Sequence, residues 1–186
     1  PWNDFVWQKS LVSFGRVLGA VHLRDMAAAE AGLAELKANY TTLSESEKDY
    51  EANQVKIEII ASEGWIQLLQ GNKNEAIRLM TEAATMEDAT EKHPVTPGEV
   101  VPARELLGDM LMEMNEYSRA LEAYEADLLR HPGRFNGLSG AGLAASKLGE
   151  TEKATNYFQQ LITSAQLSDK KRSDLAKAEL FLRQPN

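Results

Sequence analysis

Residues 101–134 read VPARELLGDMLMEMNEYSRALEAYEADLLRHPGR, and they decide the fold because the next 34 residues repeat their pattern. In residues 135–168 a glycine, an alanine and an aromatic residue recur in the same order and at the same spacing. The matched pairs are Gly108 and Gly142, Ala120 and Ala154, and Tyr124 and Phe158. Internal repetition with this period predicts one small structural unit that is used several times along the chain.

Each copy is predicted to form two antiparallel helices joined by a short turn. The glycine and the alanine face each other where the helices cross, because only small side chains let two backbones approach closely. The aromatic residue fills the gap toward the next copy. Pro132 followed by Gly133 ends the second helix of its copy, since proline has no N–H to donate to a helical hydrogen bond.

The pattern resembles the tetratricopeptide repeat, which carries a small residue at position 8, alanine at 20, an aromatic at 24 and proline at 32. Two more copies are assigned at residues 57–90 and 10–43. The matching residues are Gly64, Ala76 and Met80 in the later copy and Val17, Ala29 and Leu33 in the earlier one. The resemblance implies an all-α, right-handed superhelix of antiparallel helix pairs.

The same register predicts where the helices lie. They are expected at residues 10–23, 26–40, 46–70, 73–88, 102–114, 117–131, 135–148, 151–165 and 169–183. The last, with Ser168 as its N-cap, is expected to be a capping helix for the repeat array. Asn72 and Glu75 suggest a capping box at the start of the fourth helix. We expect a single domain over residues 1–186.

A second resemblance concerns the region around the third copy. The stretch from Glu87 to Gly98, followed by Pro102 to Met110, is similar to the C-terminal repeat region of larger, uncharacterised bacterial tetratricopeptide proteins. It implies no known activity. The chain begins with Pro1 and not with methionine, so we expect it to be a piece of a longer protein, and the sequence indicates no compartment.

Composition excludes several classes of partner. The chain has 20 Lys and Arg against 28 Asp and Glu, a net charge of −8, which argues against nucleic acid. The most apolar early run, residues 11–23, is interrupted by Arg16 and His22, so membrane insertion is not expected. There is no cysteine, and the three histidines are far apart, so no metal or other cofactor is expected.

The resemblance implies a concave groove lined by the first helix of each pair. The residues that it places there are Glu105, Asp109, Met112 and Glu113 in the third copy, Asn136, Ser139, Leu143, Ser146 and Lys147 in the fourth, and Glu58, Ala61, Trp65, Leu68 and Leu69 in the second. Four of them, Glu105, Asp109, Glu113 and Asn136, are expected to be accessible to solvent. Trp65 is as consistent with the core as with the groove.

We therefore expect a non-enzymatic scaffold, a monomer or weak homodimer, that binds a peptide or partner helix in a partly acidic groove. One alternative is that these repeats form the non-catalytic C-terminal body of a larger ligand-binding or metal-dependent enzyme whose active site lies in an N-terminal region. A third hypothesis is a purely structural or self-associating module.

One segment breaks the period. The second and third copies begin 44 residues apart, and the extra residues run approximately from Glu91 to Val100. Two prolines in this segment predict a loop between helix pairs. The loop either covers the seam between copies or contributes His93 and Thr96 to a partner or ligand site, because insertions in repeat arrays are often found at the binding face. A site completed together with an N-terminal region is the other form of the second reading.

Overall fold

The computed structural model describes residues 4–91, 99–166 and 172–183. Over these ranges the fold is all-α, as predicted, and contains no strand. The helices are α1 Val6–His22, α2 Met26–Glu45, α3 Asp49–Leu69, α4 Lys73–Asp88, α5 Ala103–Glu113, α6 Tyr117–Arg130, α7 Phe135–Leu148, α8 Thr151–Ser164 and α9 Ser173–Leu182.

Most helix ends fall within a few residues of the prediction, and α4 and α7 begin and end where it placed them. The predicted capping box of α4 is wrong. The Asn72 side chain turns back toward α3 and donates from Nδ2 to Gln67 Oε1 at 2.8 Å, so it makes no cap hydrogen bond. Helix α9 begins at Ser173, and the proposed N-cap Ser168 lies outside the described residues.

The chain divides into two compact units, Pro1–Ala103 and Arg104–Asn186. In the first unit α1 packs against α2 and α3, and α3 packs against α2 and α4. In the second unit α6 packs on α7, α7 on α8, and α9 on both α7 and α8. Each unit also contains a contact between helices two places apart along the chain: α1 with α3 in the first unit, and α7 with α9 in the second.

A glycine lies opposite a large side chain in three of the helix pairs. A Cβ atom at Gly64 would lie 3.0 Å from Met80 Cγ, one at Gly108 would lie 2.6 Å from Tyr124 Cε1, and one at Gly142 would lie 2.6 Å from Phe158 Cε1. In each pair the large residue follows the glycine by 16 positions. Carbon atoms in contact need about 3.5–4 Å, so these positions accept no side chain without displacement of the facing residue.

The first helix pair achieves the same close approach with the roles reversed. Val17 takes the place of the glycine on α1 and is fully buried, and Gly32 on α2 makes the room for it. A Cβ atom at Gly32 would lie 2.8 Å from Val17 Cγ2. The bulky residue at this position is therefore compensated from the facing helix.

The turn inside each helix pair has one geometry in all four predicted copies. Its left-handed residue is Arg24, Gly71, Asn115 and Gly149 in turn, with φ of 59°, 86°, 62° and 76°. The N–H of the next residue then donates to the carbonyl five residues before it, at 2.9, 2.9, 2.9 and 3.0 Å for Asp25, Asn72, Glu116 and Glu150. These four residues occupy the same position of the 34-residue register.

Candidate functional site

The predicted groove residues of α5 share one helix face, because Glu105, Asp109, Met112 and Glu113 follow helical spacing. Glu113 is exposed, and Asp109 and Met112 are half-buried. Glu105 is fully buried, so the prediction that it is accessible to solvent was wrong.

Glu105 is buried because a guanidinium group from the α6–α7 turn neutralises it. Arg134 donates from Nε to Glu105 Oε2 at 2.6 Å and from Nη2 to Oε1 at 3.2 Å. Asn136 adds a hydrogen bond from Nδ2 to Oε1 at 3.3 Å. A carboxylate can be buried when it is paired and hydrogen-bonded in this way. Glu105 therefore ties α5 to the start of α7 and is not presented to a partner.

Asn136 is exposed, as predicted, but both ends of its amide are engaged. Its Oδ1 accepts a hydrogen bond from Arg172 Nη2 at 3.3 Å, while its Nδ2 donates to Glu105. The Arg172 guanidinium also lies 3.7 Å from the centre of the Phe135 ring, a cation–π contact. Asn136 thus connects α5 with the first residues of α7 and with Arg172, the residue before α9.

Asp109 is held by a residue of the facing helix. The Tyr124 hydroxyl donates to Asp109 Oδ1 at 2.6 Å. The ring of Tyr124 lies between Gly108 and Gly140, where added Cβ atoms would come within 2.6 and 2.3 Å of it. Burial, together with the Asp109 carboxylate, raises the pKa of Tyr124, so the phenol stays protonated and keeps donating to Asp109.

A second buried carboxylate, Asp127 on α6, was missed by the sequence reasoning. Its Oδ1 lies 2.7 Å from His131 Nδ1, and its side chain is 1% exposed. Burial raises the pKa of Asp127, and the hydrogen bond with His131 opposes that shift. The four-residue spacing of Asp127 and His131 could have indicated the pair. His131 is the C-cap residue of α6.

On α7, Ser139 is buried and Lys147 is exposed. Among the predicted groove residues, a hydrogen bond brings Glu105 and Asn136 together. Glu105 is paired with Arg134, so its charge is neutralised within the fold.

The corresponding residues of α3 make a different surface. Trp65 belongs to the core, with 2% of its surface exposed, and the ring of His22 lies 4.9 Å from it. Ala61 is also buried, and Leu68 and Leu69 are half-buried. Burial raises the pKa of Glu58 to about 8, so its carboxyl group is largely protonated at neutral pH.

The two candidate loop residues, His93 and Thr96, lie outside the described residues. The chain on either side of them is anchored. Before the loop, Thr90 Oγ1 accepts a hydrogen bond from Asn53 Nδ2 at 2.8 Å and donates to the Met86 carbonyl at 2.8 Å. After it, the Ala103 N–H donates to Glu87 Oε1 at 2.9 Å.

Residues 4–91, 99–166 and 172–183 contain no group of three His, Asp or Glu side chains placed to hold a metal ion. Within the same ranges, no helix combines the length and apolar character that a membrane span requires. No family model matches the sequence, and no curated protein matches it.

Proposed function

We propose that this chain is a repeat protein of the tetratricopeptide kind, that its helix pairs follow one another in a right-handed superhelix, and that it binds a protein partner. The observation that carries the proposal is the turn shared by the four copies, with its left-handed residue at one position of the register. The glycine contacts at Gly64, Gly108 and Gly142 support the same register independently. Arrays of such pairs expose a continuous face formed by their first helices, and proteins of this architecture use such faces to bind partners.

The chemistry of α5 favours a cationic helix or peptide as the partner. Asp109 and Glu113 are one helical turn apart on the same face, and Glu113 is exposed. The Tyr124 hydrogen bond fixes the orientation of the Asp109 carboxylate, so less side-chain entropy would be lost on binding. Lysine or arginine residues one turn apart on a partner helix would match this spacing.

The test is a binding titration with a fluorescently labelled amphipathic peptide that carries lysines one helical turn apart. The whole chain should raise the anisotropy of the peptide, and added salt should weaken the complex, because screening acts on exposed charge pairs. Glu113→Lys should weaken binding by about tenfold, which corresponds to about 1.4 kcal/mol.

Glu122→Lys is the matched control, because Glu122 is exposed on α6 and the substitution changes the net charge equally. It should change the affinity less than about twofold. Equal losses in the two variants would mean that only net charge matters, and no binding by the unmodified chain would refute the cationic-partner proposal.

A further inference from the structure

One face of α3 carries three buried polar groups, which we call the α3 polar face: Glu58, Ser62 and Trp65. At 100° per residue, Ser62 and Trp65 project within about 40° of Glu58, and the three span about 10 Å of helix. Ser62 is fully buried and Trp65 is 2% exposed. Within the described part of the chain, Glu58 Oε2, Ser62 Oγ and Trp65 Nε1 are buried and have no hydrogen-bond partner.

Such a concentration of unpaired groups needs a physical explanation. More than about 90% of buried polar groups in proteins are hydrogen-bonded to protein or to ordered water, and leaving one unpaired destabilises the folded state. On α1, by comparison, two buried serine hydroxyls are paired: Ser10 Oγ donates to the Val6 carbonyl at 3.1 Å, and Ser13 Oγ contacts Glu35 Oε2 at 2.8 Å. The α3 polar face therefore brings three such atoms onto one side of a single helix.

Charge and size restrict what can satisfy these groups. Burial raises the pKa of Glu58 to about 8, so near neutral pH the face presents a carboxylic acid, a hydroxyl and an indole N–H, all uncharged. An uncharged set of donors and acceptors selects neither a cation nor an anion. Because Ser62 and Trp65 are almost completely buried, a ligand much larger than one water molecule would require the surrounding helices to repack. A water molecule needs about 30 Å³ and two to four polar partners.

We propose that the α3 polar face binds ordered water molecules that bridge Glu58, Ser62 and Trp65. The C-terminal end of this face lies against α1, because the ring of His22 is 4.9 Å from that of Trp65. The packing of α1 on α3 is then partly water-mediated, and the bound water supplies the neutral Glu58 carboxyl with a hydrogen-bond partner.

The direct test is nuclear magnetic resonance on the ¹⁵N-labelled whole chain, with the Trp65 indole signal assigned by its loss in Trp65→Phe. Cross-peaks between the indole proton and water should have opposite signs in laboratory-frame and rotating-frame experiments, which identifies a long-lived water molecule. Cross-peaks of the same sign, or none, would overturn the proposal.

Two variants exclude magnetisation relayed through an exchangeable side-chain proton. In Ser62→Ala the water keeps Glu58 and Trp65 as partners, and in Glu58→Gln it keeps all three positions, so the cross-peak should persist in both. Its loss in either variant would identify a relayed signal and refute the proposal.

The melting temperature of Ser62→Ala gives a second test, because a bound water and an unpaired hydroxyl predict shifts in opposite directions. Ser62→Ala should lower it by a few degrees, because the bound water loses a partner. If Ser62 Oγ were simply unpaired, the same substitution would raise the melting temperature by removing a buried polar group, and that result would contradict the proposal. Ser10→Ala is the matched control, since Ser10 is equally buried but paired within its own helix, and it should have the smaller effect.

Discussion

Replacing Glu58 by glutamine should change how the stability of the chain depends on pH. Burial raises the pKa of Glu58 from 4.5 to about 8. Because the folded state holds this proton more tightly than the unfolded state, the stability it contributes is complete below pH 4.5. That stability is lost as the pH rises through 8. At about 1.4 kcal/mol per pH unit, the loss approaches about 5 kcal/mol, and local relaxation on ionisation should reduce it to between about 2 and 5 kcal/mol.

The assay is urea unfolding followed by circular dichroism at about pH 5 and about pH 9, with the free energy of unfolding extrapolated to water. Glutamine cannot ionise, so Glu58→Gln should lose about 2–5 kcal/mol less stability than the unmodified chain between these pH values. Glu30→Gln serves as the control, because Glu30 is exposed on α2, and it should follow the unmodified chain. Parallel pH profiles for Glu58→Gln and the unmodified chain would refute the reasoning.

Five further substitutions, grouped in three predictions, test the packing, the turns and the buried ion pair by their effect on urea unfolding. Gly108→Ala should destabilise the chain by about 1–3 kcal/mol, because the new methyl group meets Tyr124. Gly15→Ala, in open space on α1, should stabilise it by up to about 1 kcal/mol. Changes in the free energy of unfolding with the same sign in both variants would contradict the packing. Arg24→Gly should stabilise the first turn by about 1 kcal/mol and Gly149→Ala should destabilise the last by a similar amount, since both positions are left-handed; no difference between them would refute the equivalence of the turns. Glu105→Gln should cost about 3 kcal/mol by removing the buried negative charge that pairs with Arg134, and a loss under about 0.5 kcal/mol would mean that the pair contributes little.

The sequence predicted the helix pairs because the features that define them are local. Gly108 and Tyr124 are 16 residues apart within one helix pair, and the same spacing joins Gly142 to Phe158. A close helix crossing requires a small residue at a fixed distance along the sequence from the large residue that it faces. Turns with a left-handed residue favour glycine or asparagine. Arginine is not typical of such a turn, yet the 34-residue register alone predicted the turn at Arg24.

The features that the sequence did not predict depend on contacts between separate elements. Glu105 was predicted to be accessible to solvent from its position in the repeat. It is buried because Arg134, 29 residues further along the chain, neutralises it. Gly32 compensates for Val17 from the facing helix, which a pattern read along one helix does not reveal. The polarity of a side chain alone could not distinguish Glu58, whose Oε2 atom is buried, from exposed Glu113, because the difference lies in which helices pack around them.

The central claim is that each glycine of the register is required by the large side chain 16 residues later. A double-mutant cycle on Gly142→Ala and Phe158→Leu measures that dependence directly, because a Cβ atom at Gly142 would lie 2.6 Å from Phe158 Cε1. The smaller leucine should relieve the clash, so the double variant should be more stable than the sum of the single effects predicts, by about 1 kcal/mol or more. Additive effects within about 0.3 kcal/mol would show that the two positions do not depend on each other and would contradict the account.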